Sequence, residues 1–217
     1  LVHLLPVIHR YGDVLRKIGF PVDLSDHKFP LKPGTPKKFN DSFFNSKLKW
    51  IGIAPFAKHV GKIYPLDLTQ KVISFLQREN QVFLLGSDGD EEKKLQVWEK
   101  AYSNVHSLAG KYSFSDQLKI ISNLDVMISM DSANGHIAAN YDIPVITIWG
   151  VTNPYAGFSP WNQNSERNIL SDRDLYPLIP TSVYGNVCPE GYENCMRTIT
   201  PEKVIEVVTE TMTQTSS

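Results

Sequence analysis

From residue 47 onward the chain alternates short apolar runs with longer amphipathic ones. "KLKWIGIAP" reads as a strand ending near Ala54, followed by a helix over residues 66–79 with Leu68, Val72, Phe75 and Leu76 on one face. "QVFLLG" is a second strand, and residues 90–102 form a helix with Leu95, Trp98 and Tyr102 in register. "NVHSLAG" is a short third strand, and residues 114–122 place Phe114, Leu118 and Ile121 on a helical face. "DVMISM" is a fourth strand, a short helix follows Gly135, and "IPVITIWG" is a fifth strand. Period-2 runs and 3.6-period stripes are the two signals used. The strand runs are apolar throughout, as strands covered on both faces must be, so the expected fold is α/β with a parallel sheet between helices.

Outside this alternation the pattern weakens. Tyr11, Val14, Leu15 and Ile18 predict a helix over residues 9–19, stopped at Gly19. Residues 20–47 are punctuated by prolines, and "KPGTPKKFNDS" reads as a linker or long loop. Residues 1–47 are therefore expected to be the tail of a preceding domain plus its connector, and residues 48–217 one domain. The opening Leu1 points to a processed chain or a piece of a longer protein, and "LVHLLPVIHRYG" lacks the basic start and small-residue cleavage site of a signal peptide. Residues 151–199 read mostly as loop. Thr200 then caps a last helix beginning at Pro201, with Val204, Val208 and Met212 as its stripe, Ile205 beside it, and a frayed "TQTSS" end.

Composition narrows the function classes. The 217 residues are 41% apolar, enough for a sizeable core. Lys plus Arg number 22 against 23 Asp plus Glu, a balance that argues against nucleic acid as a partner. No apolar run is long enough for a membrane-spanning helix. Two cysteines, Cys188 and Cys195, are too few for a disulfide scaffold or a four-cysteine zinc site; a single disulfide or a loop clasp stays open, and no metal or cofactor is expected.

Candidate chemistry follows from the strand ends, because open α/β sheets bind ligands beyond the carboxyl ends of their strands. Three polar stretches fall there: "APFAKHVGKIYP" at 54–65, "GSDGDEE" at 86–92 and "DSANGH" at 131–136. In the third, Asp131, Ser132 or Asn134 caps a helix, alone or together with an anion held by the free amides of the first turn. Gly135 allows a turn or a close ligand approach, and His136 is expected near the same anion or as a satisfied structural residue. Lys58, His59 and Lys62 form either a solvated loop or a cationic rim suited to phosphate. Asp88, Asp90 and Glu91 hold hydroxyls or simply make an acidic first turn. Neither a dinucleotide fingerprint, nor a P-loop, nor a G-x-S-x-G elbow is present.

The stretches "IGIAPFAKHVGKIYPLD", "VFLLGSDGDEE", the block from "LAG" to "TNP" and "CPEGYENCMRTITPEKV" together resemble the ADP-heptose:lipopolysaccharide heptosyltransferases, glycosyltransferase family nine, over about residues 48–210. The resemblance implies one Rossmann-like half of a two-domain GT-B glycosyltransferase, the C-terminal half that binds the nucleotide-sugar donor. It implies inverting transfer of a sugar, with ADP-heptose the family's donor, to a lipopolysaccharide-type glycolipid. On it, Lys62 meets the donor phosphates, residues 54–57 line the same pocket, and an acid among Asp88 to Glu91 sits by the nucleoside. Asp131, Ser132, Ala133 and His136 match a donor motif in which Ala133 stands where the family usually has glycine. The resemblance places the catalytic base, a carboxylate, in an N-terminal domain absent from these residues, with His136 as an auxiliary, so the isolated chain is expected to be inactive. The resemblance implies a cytoplasmic setting, with peripheral contact at the inner face of the cytoplasmic membrane. A noncatalytic nucleotide- or sugar-phosphate-binding module, or another GT-B enzyme such as an epimerase, is the alternative.

Overall fold

The computed structural model describes residues 2–34 and 47–214. Most of the expected linker and the last three residues lie outside them. Six strands form one parallel sheet: β1 (Lys49–Ala54), β2 (Asn80–Leu84), β3 (Val105–Ser107), β4 (Val126–Met130), β5 (Val145–Trp149) and β6 (Asn168–Leu170), in the spatial order β3-β2-β1-β4-β5-β6. The intervening helices are α1 (Val7–Lys17), α2 (Leu66–Leu76), α3 (Asp90–Ala101), α4 (Phe114–Ile121), α5 (Ala133–Asn140) and α6 (Pro201–Gln214). This is the Rossmann-like parallel sheet the apolar runs predict. Sequence patterning misses only β6, because three residues with one buried side chain carry no readable period.

The strands are apolar on both faces because each face has its own helical layer. Ile51, Ile53, Val82, Leu84, Ile128, Ile146 and Ile148 pack toward the layer built from α2, α3 and α6. Their neighbours Phe83, Leu85, Met127 and Val145 pack toward α4 and α5. Register follows: Ile53 pairs with Leu84 on one side and Ile128 on the other, and Ile128 with Ile146, so like-facing side chains stack across the sheet.

Helix faces differ from expectation in places. Phe75 is 48% exposed and Phe114 64% exposed, while Thr69, Val72, Ile73 and Leu76 fill the α2 face and Ile120 and Ile121 the α4 face. Phe75 sits off the buried stripe with its ring beneath the Arg78 guanidinium at 5.7 Å, and Phe114 is the first residue of α4, left exposed at the helix end. The last helix buries Val204, Val207, Val208 and Thr211, and its expected cap holds: Thr200 Oγ1 accepts from Lys203 N at 3.2 Å.

The N-terminal segment is fastened to the loop after β5. Leu4 N donates to Tyr155 O at 2.9 Å, Val7 N to Gly157 O at 2.8 Å, and the Arg10 guanidinium to Leu5 O and Ala156 O. Helix α1 nevertheless leaves Tyr11, Val14 and Ile18 mostly exposed. Among the described residues, no helix is long and apolar enough to cross a membrane.

A paired substitution checks the layer assignment. Leu95→Ala, at a side chain with 0% exposure, is expected to lower unfolding free energy by about 2–5 kcal/mol in chemical denaturation. Phe75→Ala is expected to cost about 0.5 kcal/mol; equal losses at the two sites would contradict the packing described.

Candidate functional site

Strand order reverses at β1 and β4: the chain winds outward from β1 through β2 to β3, then returns to start β4 on β1's other edge. Helical connections therefore diverge there and leave a crevice beyond the two strand ends. A cavity of about 780 Å³ opens at this point. All three polar stretches meet in it: Phe56 to His59 and Lys62 from the end of β1, Gly86, Ser87 and Glu91 from the end of β2, and Asp131 to Asn134 from the end of β4.

Lys62 is held from several directions. It ends a single 3₁₀ turn, Val60–Lys62, whose Gly61 carbonyl accepts from Val151 N at 3.0 Å, just past β5. The chains cross so closely that a Cβ on Gly150 would lie 2.1 Å from the Gly61 oxygen, and one on Gly61 2.7 Å from a Val151 methyl. Two residues on, Tyr64 anchors the segment in the core: its N–H points to Met130 Sδ at 3.3 Å and its hydroxyl donates to Ile199 O at 2.8 Å. The Lys62 stem then runs under Gly185, and its ammonium meets Asp131 Oδ2 at 2.7 Å, with the two side chains 13% and 8% exposed.

That pair resolves the role of Asp131. Its carboxylate is engaged with Lys62 and does not cap α5. Nor does Ser132, which occupies the N-cap position with extended backbone and makes no side-chain bond to the first-turn amides. Its hydroxyl instead lies 3.2 Å from Ser129 Oγ, which donates to Met130 O. The amides at the start of α5 thus face the cavity without a side-chain acceptor, beside a cation. An anion fits there through both the free N–H groups and the helix dipole.

Two expectations need correction. Helix α5 begins at Ala133, not after Gly135; Gly135 lies within its first turn and packs on β4, where a Cβ would come 3.2 Å from Ser129 Oγ. Gly135 therefore serves the helix–strand contact rather than a ligand approach. Asp88 does not line the cavity: its carboxylate accepts from Gly110 N at 3.0 Å and ties the β2–α3 loop to the β3–α4 loop. Glu91 does line it, with Oε2 accepting from Ser87 N at 2.7 Å. Ala133 also lines it, as the first residue of α5.

His136 faces away from this cavity into a second one of about 580 Å³, bounded by α5, the start of α1 and the loop around Trp161. Burial holds its imidazole below the ordinary value of 6.5, the Asp131 carboxylate opposes that, and Lys62 adds to it. His136 is thus electrically close to the Lys62–Asp131 pair without sharing its cavity. Cys188 and Cys195 are both free thiols, and burial raises both above the ordinary thiol range. Among the described residues, no cluster of three or more His, Cys, Asp or Glu is placed to hold a metal ion.

The cavity wall has one further contributor that no motif announces. Tyr184 and Asn186 reach it from a loop far downstream, whose position depends on tertiary contacts alone.

Comparison with known proteins agrees with the geometry. The model of glycosyltransferase family 9 (heptosyltransferase) matches residues 4–179. The chain belongs to this family. It is 26% identical to lipooligosaccharide heptosyltransferase 2 of Campylobacter jejuni over 198 residues, 88% of this chain and 59% of that protein. Among solved structures, the glycosyltransferase family 9 protein of Veillonella parvula aligns with a TM-score of 0.70 at 15% identity, over 97% of this chain and 60% of that one. Heptosyltransferase WaaC of E. coli with ADP aligns with a TM-score of 0.58 at 18% identity, over 77% of this chain and 45% of that one. The chain thus spans well under two thirds of the family 9 proteins it matches, and the structural likenesses establish the shared Rossmann-like half.

Two measurements probe this site. Gly150→Ala is expected to lower stability by about 1–3 kcal/mol in denaturant melts, because the added methyl meets backbone rather than a yielding side chain; an unchanged midpoint would refute the tight crossing. For His136, the native state binds its proton more weakly than the unfolded chain does. Its contribution to stability is therefore complete above pH 6.5 and is lost as pH falls from there through the depressed native value. His136→Gln should flatten that part of the stability–pH curve, with His106, also depressed by burial, supplying the residual slope; an unaltered slope would refute the assignment.

Proposed function

We propose that residues 48–217 are the donor-binding half of a glycosyltransferase that transfers a sugar, with inversion, from a nucleoside diphosphate to a lipopolysaccharide-type glycolipid. The observation carrying this reading is the α5 N-terminus, uncapped by any side chain and set beside Lys62 at the strand-order reversal of a family 9 chain. Residues 1–47 then belong to the connection with a preceding domain, consistent with the share of its relatives that the chain spans.

The chemistry asks for little more at this half of the enzyme. When an acceptor hydroxyl attacks the anomeric carbon, the bond to the leaving diphosphate breaks and negative charge grows on its oxygens. Lys62 and the first amides of α5 are already oriented toward that charge, so they stabilise it without reorganising. Asp131 keeps the ammonium aimed while the site is empty; the incoming diphosphate shares it. Glu91, Ser87 and Gly86 at the β2 end take the nucleoside, where a carboxylate suits ribose hydroxyls. Ser132 and Ala133 shape the phosphate approach. His136, behind α5, acts on the site only through its field.

The proton released by the acceptor needs a base on the opposite wall of the cleft, and that wall belongs to the domain before residue 1. The isolated chain on this reading binds donor and turns nothing over. ADP-heptose is the donor favoured by family membership and by relatives solved with ADP and ADP-heptose. The acceptor would be met at the inner face of the cytoplasmic membrane, by peripheral contact.

Calorimetric titration with ADP, GDP and UDP tests the reading. Lys62→Ala, checked for folding by circular dichroism, is expected to weaken the tightest diphosphate by about 2 kcal/mol, roughly thirtyfold. Unchanged affinity would remove Lys62 from the phosphate site, and sugar transfer by the isolated chain would overturn the assignment of the base.

A further inference from the structure

The loop that carries Tyr184 and Asn186 is fixed, not loose. Thr181 N donates to Val151 O at 2.9 Å, the Thr181 hydroxyl donates to Val187 O, and Val187 N donates to Ser182 Oγ at 3.3 Å. At its tip Gly185 has φ of +72° and is pressed onto the Lys62 stem: a Cβ there would fall 2.4 Å from Lys62 Cδ. Only glycine both adopts that backbone and fits that space. The residues flanking Gly185 consequently stand over the cavity next to the ammonium. Tyr184 is 65% exposed, its ring leaning on Phe158 at 5.5 Å, and Asn186 is exposed beside it.

Sheet order gives this cavity a direction. Strands run β2-β1-β4-β5, so the wall runs from Glu91 past Lys62 and Asp131 to the loop bonded behind β5. A nucleotide sugar whose diphosphate lies on Lys62 and whose nucleoside points to the β2 end has its sugar at the β5 end. We propose that Tyr184 and Asn186 form the sugar-recognition wall of the donor site and set which hexose or heptose is accepted. This rests on the donor-binding reading above. The chemistry matches the ligand: an aromatic ring covers the apolar C–H face of a pyranose, while a phenol and a carboxamide donate to and accept from its hydroxyls. At the β2 end the aromatic is Phe56, which carries no hydroxyl, beside the Ser87 hydroxyl and the Glu91 carboxylate.

The test compares each nucleotide sugar with its parent diphosphate on the 217-residue chain. The probes are ADP, GDP and UDP with ADP-heptose, ADP-glucose, GDP-mannose and UDP-glucose, measured by calorimetry. For the best-bound sugar, Tyr184→Ala and Asn186→Ala are each expected to lose about three- to tenfold in affinity while the parent diphosphate stays within about twofold. Equal loss for sugar and diphosphate would assign the loop to the nucleotide instead and overturn the proposal. So would sugar affinity unchanged in both variants, or a wild-type chain that binds every sugar no better than its diphosphate. A chain that binds no diphosphate, or one in which Lys62→Ala binds as well as wild type, would instead sink the underlying donor-site reading, and this proposal with it.

Discussion

The contact between Lys62 and Asp131 joins the two halves of the sheet's winding. One partner follows β1 and the other follows β4, and they meet where the strand order reverses. A pair this little exposed contributes modestly to net stability, because desolvation offsets much of the attraction. Its value lies in position. It holds a cation, paired with one carboxylate, beside the free end of α5, so that the polar groups of the crevice are ordered rather than scattered. The glycine crossing at Gly61 and Gly150 and the Tyr64 anchor exist, in mechanical terms, to deliver that ammonium.

Much of this was legible in the sequence, and the reasons are specific. The first five strands, β1 to β5, and most of the helices between them announce themselves through apolar runs and helical stripes. The convergence of "APFAKHVGK", "GSDGDEE" and "DSANGH" follows from the rule about strand ends. What sequence could not decide was which polar group does what. Asp131 and Ser132 have the composition of a helix cap, yet an ion pair claims one and Ser129 the other. Asp88 and Glu91 are close along the chain, but their turn sends one carboxylate to Gly110 and the other to the cavity rim.

Other misreadings share a cause. His136, expected beside the anion or as a structural residue, lines the second cavity and not the first. Phe75 lies off the buried arc and Phe114 at the open start of its helix, and an exposed hydrophobic side chain costs little at a surface. Tyr184 and Asn186 had no signal at all. Their place depends on Val151 and Lys62, residues with which they share no local pattern.

The crossing of Gly61 and Gly150 divides the crevice into positions that evolution can and cannot touch. At the crossing there is no room for a side chain, since a methyl on Gly150 would meet the Gly61 carbonyl and one on Gly61 the Val151 side chain. The surrounding wall is different: Ser87, Ala133 and Asn186 face open volume, where a new side chain displaces only solvent. The wall of the crevice can therefore vary by single substitutions without rebuilding the frame around it.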